Sequence, residues 1–220
     1  MFLYLHYQDV ILGEKNIGNI GMAYSDFTLE MVLEQFNLTI RETRSLIQSQ
    51  PVQPTELLVA ILEREMPWAI AVGSEIARYS GIIAQVLLEV REIKQQQISV
   101  FAGKEFNVDP ERKLNGYCDF LISLSPIQSV IQAPVVVIAE AKRGILENGL
   151  GQCAAAMVAA QQFNQTHNLA IPNIYGSVTN GSSWKFLKLS GTELVIDITE
   201  YDITPIDRLL GILLATIAND

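Results

Sequence analysis

The sequence predicts an α/β fold in which helices cover both faces of a mixed central sheet. Three observations support this: a helical apolar stripe within residues 74–95, strand-like segments at 98–106, 117–125 and 135–142, and an alanine-rich helical stretch after Gly151. A sheet whose middle strand is apolar on both faces needs helices on both sides. The order therefore begins as helix, three strands, helix and strand.

The longest predicted helix begins at Ser74, a residue that favours helix N-termini. Its apolar residues recur at helical spacing and form one stripe: Ile76, Tyr79, Ile83, Val86, Leu87, Val90 and Ile93. Two shorter helices precede it. Ser25 or Asp26 is expected to cap the first, and the second is expected to begin near Thr55 and to end at Pro67.

Strand patterns return after the alanine-rich helix, which follows Gly149 and Gly151. Turn residues separate them and favour hairpins. A closing helix is expected from about Thr204 to Ala218. The predicted strands and turns of this C-terminal part are YGSVTN, SWKFLKLS and ELVIDI, with turns at Asn180-Gly181 and Ser190-Gly191.

Composition indicates one compact domain, because 220 residues with 49% hydrophobic content can bury a sizeable core. We expect residues 1–69 to form an N-terminal arm and helices packed on a core of residues 70–220. The net charge of -9 argues against a broad polycationic surface. The apolar stretch at 209–218 is too short for a membrane span, and no signal peptide is recognisable, so a cytoplasmic location is expected.

The two cysteines, Cys118 and Cys153, lie in apolar segments, as buried reduced thiols usually do. With the distant His6 and His167 they form no recognisable zinc pattern. Carboxylates are therefore the candidate metal ligands.

The apolar run VVVIA ends in an unusual polar pair, Glu140 and Lys142. Side chains two apart on a strand share a face. Asp119 lies between apolar neighbours in the preceding strand, and two adjoining carboxylates repel each other unless a cation lies between them. Oxygen ligands favour Mg²⁺ or Mn²⁺. The alternative is a salt bridge that only contributes to packing.

An Asp on the second strand and Glu-x-Lys on the third resemble the PD-(D/E)XK, or restriction-endonuclease-like, nuclease superfamily. Asp119 matches the first position, and Glu140 and Lys142 match the second. The stretches GKEFNVDPERKLNGYCDFLIS and GSVTNGSSWKFLKL are also similar to those of bacterial relatives. The chain has Tyr117 and Cys118 where the family has a proline before the first acid.

The resemblance implies a metal-dependent enzyme that hydrolyses phosphodiester bonds, most of all in DNA. Asp119, Glu140 and the carbonyl of Ala141 would bind Mg²⁺ or Mn²⁺. Lys142 would position the attacking water or stabilise the transition state. The alternative is an inactive nuclease-fold protein that acts as a nucleic-acid or protein-binding module.

Two further residues could assist. Members of the family often add a carboxylate from the first core helix, and Glu75 is our choice over Glu89 and Glu92 because it lies near the edge of the apolar stripe. Its other explanation is the helix dipole, which favours an acid in the first turn. Gln152 matches a polar residue at the start of the following helix, where a solvated glutamine is the alternative.

Three more residues and one segment complete the expectations. Lys104 and Arg143 are candidate phosphate contacts, with a solvated surface position as the alternative for each. Trp184 is expected to pack in the core rather than to stack on a base. Residues 1–24 are expected to form an extended arm and are a candidate for a homodimer contact.

Overall fold

The structure, a computed structural model, describes residues 23–142 and 144–218. Within them the predicted α/β fold is confirmed, with a mixed sheet between helices. The strands are β1 (Thr39–Thr43), β2 (Ser99–Glu105), β3 (Tyr117–Ser123), β4 (Val135–Ala141), β5 (Ile174–Thr179), β6 (Ser183–Ser190), β7 (Glu193–Asp197) and β8 (Tyr201–Asp202). The helices are α1 (Leu29–Gln35), α2 (Glu56–Val72), α3 (Glu75–Arg78, a π-helical turn Tyr79–Ile83, and Ala84–Ile93), α4 (Leu150–Thr166) and α5 (Ile206–Ala218).

The strands of the described residues form one sheet in the order β1-β7-β6-β5-β4-β3-β2, and β8 pairs with β6. Strands β2, β3 and β4 are antiparallel neighbours, whereas β4 and β5 are parallel. A parallel pair needs a crossover connection, and α4 supplies it. The order helix, three strands, helix and strand that the sequence predicts is therefore present.

Two apolar cores lie on opposite faces of the sheet. Helices α1 and α4 cover one face, and helices α2, α3 and α5 cover the other. The alanines of α4 are fully buried, which lets this helix approach the strands closely. Trp184 is buried at 0% exposure, in agreement with the prediction that it packs in the core.

The start of α2 agrees with the sequence, but its end does not. The Thr55 hydroxyl accepts a hydrogen bond from the Leu58 N–H at 3.2 Å and caps the helix. The helix continues through Pro67 and ends at Gly73, which has φ +66°. The predicted stop at Pro67 is wrong because the proline is exposed, so water can solvate the carbonyl that loses its helical partner.

The cap of α1 also differs from the expectation. Ser25 and Asp26 belong to a short 3₁₀ turn that precedes the helix. The N-cap is Thr28, whose hydroxyl accepts from the Met31 N–H at 3.3 Å. The same type of capping chemistry thus operates about one helical turn later than predicted.

The apolar stripe of α3 is confirmed except at its first member. Ile76 is 68% exposed, whereas Ile83, Val86 and Val90 are buried. A π-helical turn holds one more residue than an α-helical turn, so it rotates the preceding residues relative to the rest of the helix. Strand β1 is a further departure, because its exposed and largely polar sequence carries no strand pattern.

Two expectations fall mainly on residues that are not described. The proposed arm at 1–24 lies outside them apart from Ala23 and Tyr24, and Arg143 lies outside them as well. In the part of the chain that the structure describes, no helix combines the length and the apolarity needed to cross a bilayer.

Candidate active site

The polar pair lies at the C-terminal end of β4, an inner strand of the sheet. Ala139 and Ala141 face the core under α3 and α5, so Glu140 between them points to the opposite face, toward α4. The Glu140 side chain is fully buried, at 0% exposure. Lys142 follows the end of the strand, and its N–H donates to the Thr179 carbonyl of β5 at 2.7 Å.

Asp119 lies opposite Glu140 on the neighbouring strand. Phe120 pairs with Ala139 in the antiparallel register, and one further step puts Asp119 across from Glu140. The Ala141 N–H donates to Asp119 Oδ2 at 2.8 Å. This hydrogen bond fixes the Asp119 carboxylate beside Glu140, at the end of β4.

Tyr79 secures the backbone of Asp119. Its hydroxyl donates to the Asp119 carbonyl at 3.1 Å, and its ring stacks on Phe120 with centroids 4.3 Å apart. Burial and the Asp119 charge raise the pKa of Tyr79 to about 12. In the sequence Tyr79 is recognisable only as a core residue, because a contact with a strand forty residues away has no local signal.

The two carboxyl groups perturb each other strongly. Burial, followed by the negative charge of Asp119, raises the pKa of Glu140 well above its usual value. The Lys142 ammonium opposes this rise, and the close approach of the Asp119 carboxyl group adds to it. Neither Glu140 carboxylate oxygen has a hydrogen-bond partner among the described residues. An ionised Glu140 is therefore a buried and uncompensated charge.

Gln152 holds the end of Lys142. The glutamine lies in the first turn of α4, and its Oε1 accepts from Lys142 Nζ at 2.6 Å. No carboxylate lies within 4.0 Å of the Lys142 ammonium in the described part of the chain. The amide orients the ammonium without forming an ion pair with it, so the ammonium stays available to an anion.

A short 3₁₀ turn, Leu146–Gly149, lies directly against Lys142. A Cβ atom added at Gly149 would lie 2.6 Å from Val178 Cγ1 and 3.0 Å from Lys142 Cγ. Only glycine leaves room for this approach. From the sequence alone, Gly149 marks only the start of the helix.

A buried lysine anchors the same turn. Glu140 pairs with Val178, and Val178 pairs with Lys185 of β6, so these residues form one row across three strands. Lys185 is 7% exposed, and its Nζ lies 2.5 Å from Glu147 Oε1 and 3.7 Å from a Glu200 carboxylate oxygen. The hydrogen bond from Lys185 lowers the pKa of Glu147. No local pattern predicts this pair, since its members are far apart in the chain.

The helix-borne acids have different positions. Glu75 begins α3 after the Ser74 cap and is exposed, and its charge contributes to the raised pKa of Glu140. Glu75 therefore lies at the edge of the same site. Glu89 is buried elsewhere and accepts hydrogen bonds from the Thr55 N–H at 2.6 Å and its hydroxyl at 2.9 Å. Glu92 is exposed.

Lys104 lies outside this cluster, whereas the two cysteines border it. Lys104 is exposed on strand β2. Cys118 and Cys153 are free, buried thiols, as expected, and burial raises the pKa of each.

The donor set fits a hard cation that keeps part of its water shell. Among residues 23–142 and 144–218, no three His, Cys, Asp or Glu side chains converge on a common point. Asp119 and Glu140 provide two carboxylates, and Mg²⁺ is commonly bound by only one or two. The unpartnered oxygens of Glu140 are the observation that most favours a cation here.

The chain matches no protein-family model, and no match emerged among curated proteins. The resemblance to PD-(D/E)XK nucleases therefore depends on the residues and the element order described above.

Proposed function

We propose that the protein is a metal-dependent nuclease that hydrolyses phosphodiester bonds, with DNA as its substrate. One observation carries the proposal: Glu140 is fully buried directly beside Asp119, and neither of its carboxylate oxygens has a hydrogen-bond partner within residues 23–142 and 144–218. Such an arrangement is costly for folding and has a purpose if the pair binds a cation. Lys142 lies at the end of the same strand, and its ammonium forms no ion pair with the carboxylates that the structure describes.

Each residue then has a defined role. Asp119 and Glu140, with the Ala141 carbonyl, would hold Mg²⁺ or Mn²⁺. The bound ion would offset the negative charge of a phosphate group and favour ionisation of water. Lys142 would orient the attacking water or stabilise the charge that develops on the phosphate oxygens. Gln152 would keep the ammonium in position through the hydrogen bond at 2.6 Å.

Glu75 would act at the border of this site. It is exposed, so it remains accessible to solvent and to a ligand. Its charge acts on Glu140, which supports a role in tuning the carboxylate pair or in holding a water beside it. The helix dipole accounts for an acid in the first turn, but it does not account for the effect of this acid on Glu140.

A purely structural role for the Glu-x-Lys pair is the less favoured alternative. A packing ion pair would require Lys142 and Glu140 to contact each other. Instead, Lys142 Nζ bonds to the Gln152 amide, and the Glu140 oxygens have no partner in the described part of the chain. The second alternative is an inactive nuclease-fold module that binds nucleic acid or protein. It differs from the proposed nuclease in having no cleavage activity.

The test is a cleavage assay on supercoiled, linear and single-stranded DNA with Mg²⁺, Mn²⁺ or EDTA. We expect metal-dependent cleavage by the parent protein, reduced by about a hundredfold or more in Lys142→Ala and in Asp119→Asn. Lys94→Ala is the matched control, because it removes a lysine at the far end of α3. DNA binding without any metal-dependent cleavage would support the inactive module and contradict the nuclease.

A further inference from the structure

Arg78 connects helix α3 to the turn between β5 and β6. Its Nη1 donates to the Asn180 carbonyl at 2.9 Å and to Ser182 Oγ at 3.3 Å. The guanidinium is thereby held in a fixed orientation at the end of the sheet.

Most donors of this guanidinium remain unused. Arg78 Nε is buried without a hydrogen-bond partner, and no carboxylate lies within 4.0 Å of the side chain among the described residues. Two exposed arginines do have such partners: Arg41 pairs with Glu193, and Arg64 pairs with Glu65. A partly buried guanidinium without a counter-ion is costly, and an anion would compensate it.

The position of Arg78 connects it to the carboxylate site. Asn180 directly follows Thr179, whose carbonyl accepts the Lys142 N–H. Glu75, whose charge acts on the buried carboxylate pair, precedes Arg78 by three residues and so shares its face of the helix. Arg78 therefore borders the site on the side of the β5–β6 turn.

The π-helical turn of α3 explains how one helix reaches both sides of this site. It begins at Tyr79, which contacts the Asp119 carbonyl on β3, whereas the adjacent Arg78 contacts the β5–β6 turn. Two consecutive residues thus contact strand β3 and the β5–β6 turn, which lie on either side of β4. π-Helical turns inside α-helices occur frequently at functional sites.

We propose that Arg78 binds a backbone phosphate of the nucleic acid next to the bond that is cleaved. With Nη1 bonded and Nε buried, the Nη2 amino group is left to donate to a phosphate oxygen, and the positive charge of the guanidinium strengthens that hydrogen bond. Contacts of this kind position the substrate and carry no sequence information. The inference rests on the proposed nuclease function for the identity of its ligand.

Arg91 provides a matched control within the same helix. Its Nε is also buried without a partner, but it lies in the last turn of α3. Thirteen residues of helix separate it from Arg78, which is about 20 Å at 1.5 Å per residue. An unpartnered Nε alone would predict equal effects at both positions, whereas our proposal predicts an effect only at Arg78.

The experiment measures binding of fluorescently labelled DNA by anisotropy, in Ca²⁺ and over a series of salt concentrations. Arg78→Gln should weaken binding by at least about tenfold for every DNA sequence. It should also reduce the slope of log affinity against log salt by about 0.9, the value for one phosphate contact. Arg78→Lys should keep the slope and lose part of the affinity, and Arg91→Gln should bind as the parent does.

The outcomes separate this inference from the proposed function. A parent protein that binds no nucleic acid overturns both. If the parent binds DNA and Arg78→Gln binds with the same affinity and salt slope, the phosphate contact alone is overturned. A lowered melting temperature of that variant would then show that Arg78 stabilises the β5–β6 turn. If Arg78→Gln does not fold, Arg78→Lys decides, because an unchanged affinity in that variant would overturn a phosphate contact that depends on the guanidinium.

Discussion

The substitution Glu140→Gln should stabilise the protein in the absence of metal at neutral pH. The glutamine keeps the shape of the side chain, removes the buried charge and can donate a hydrogen bond to the Asp119 carboxylate. Each unit by which the folded protein raises the pKa of Glu140 corresponds to about 1.4 kcal/mol of lost stability at a pH above both values. Because that pKa is raised mainly by burial, the substitution removes a cost rather than a favourable contact.

We expect the free energy of unfolding to increase by about 1 to 2 kcal/mol, which is typical of substitutions that relieve functional strain. For a chain of this size the melting temperature should rise by roughly 2 to 8 °C. The assay is thermal unfolding in EDTA, followed by circular dichroism, from pH 4 to pH 8. Glu63→Gln is the control, because it removes an exposed acid from α2.

The pH dependence has a definite sign. A raised folded-state pKa gives stability that is fully present below the unfolded value of 4.5 and is lost as pH rises through the folded value. The parent should therefore lose stability relative to Glu140→Gln as pH rises from about 4.5. Mg²⁺ should stabilise the parent but not the variant. A variant that melts below the parent at pH 7 in EDTA would refute the reasoning.

Three other substitutions test the surroundings of the site. Gly149→Ala should lower both the melting temperature and the cleavage rate, because the added methyl group has no room against β5. Unchanged values would show that the Leu146–Gly149 turn can move. Glu147→Gln should lower the free energy of unfolding by about 1 to 2 kcal/mol at pH 7, because it weakens the contact with the buried Lys185. This loss should shrink as pH falls, since the lowered pKa of Glu147 stabilises the fold only above the pKa of the unfolded chain. Denaturant unfolding at pH 4 and pH 7 measures both values. Tyr79→Phe should cost about 1 kcal/mol through the lost hydrogen bond to the Asp119 carbonyl, and chemical denaturation beside the parent measures it.

The fold class was predictable because its signals are local. The apolar strands and the long amphipathic helix appear at the predicted positions, and Thr55 caps α2 as its sequence indicates. The errors arise where local rules compete with the rest of the structure. Pro67 does not stop α2, and the π-helical turn of α3 exposes Ile76, which a regular helix would have placed on the buried stripe.

The candidate site was predictable only in part. Alternation along one strand suffices to put Glu140 and Lys142 on one face, and Gln152 is found beside Lys142. The contacts of Tyr79 and Arg78 depend on how α3 lies across the sheet, which no local pattern encodes.

The central claim is that Asp119 and Glu140 bind a divalent cation together. Isothermal titration of the parent protein with Mn²⁺ at pH 5, 6 and 7.5 tests it most directly. The account predicts one site whose affinity increases with pH, because protons compete with the ion for the buried carboxylate, and whose binding is lost in Glu140→Gln. An affinity that does not change with pH, or that survives in Glu140→Gln, would contradict it.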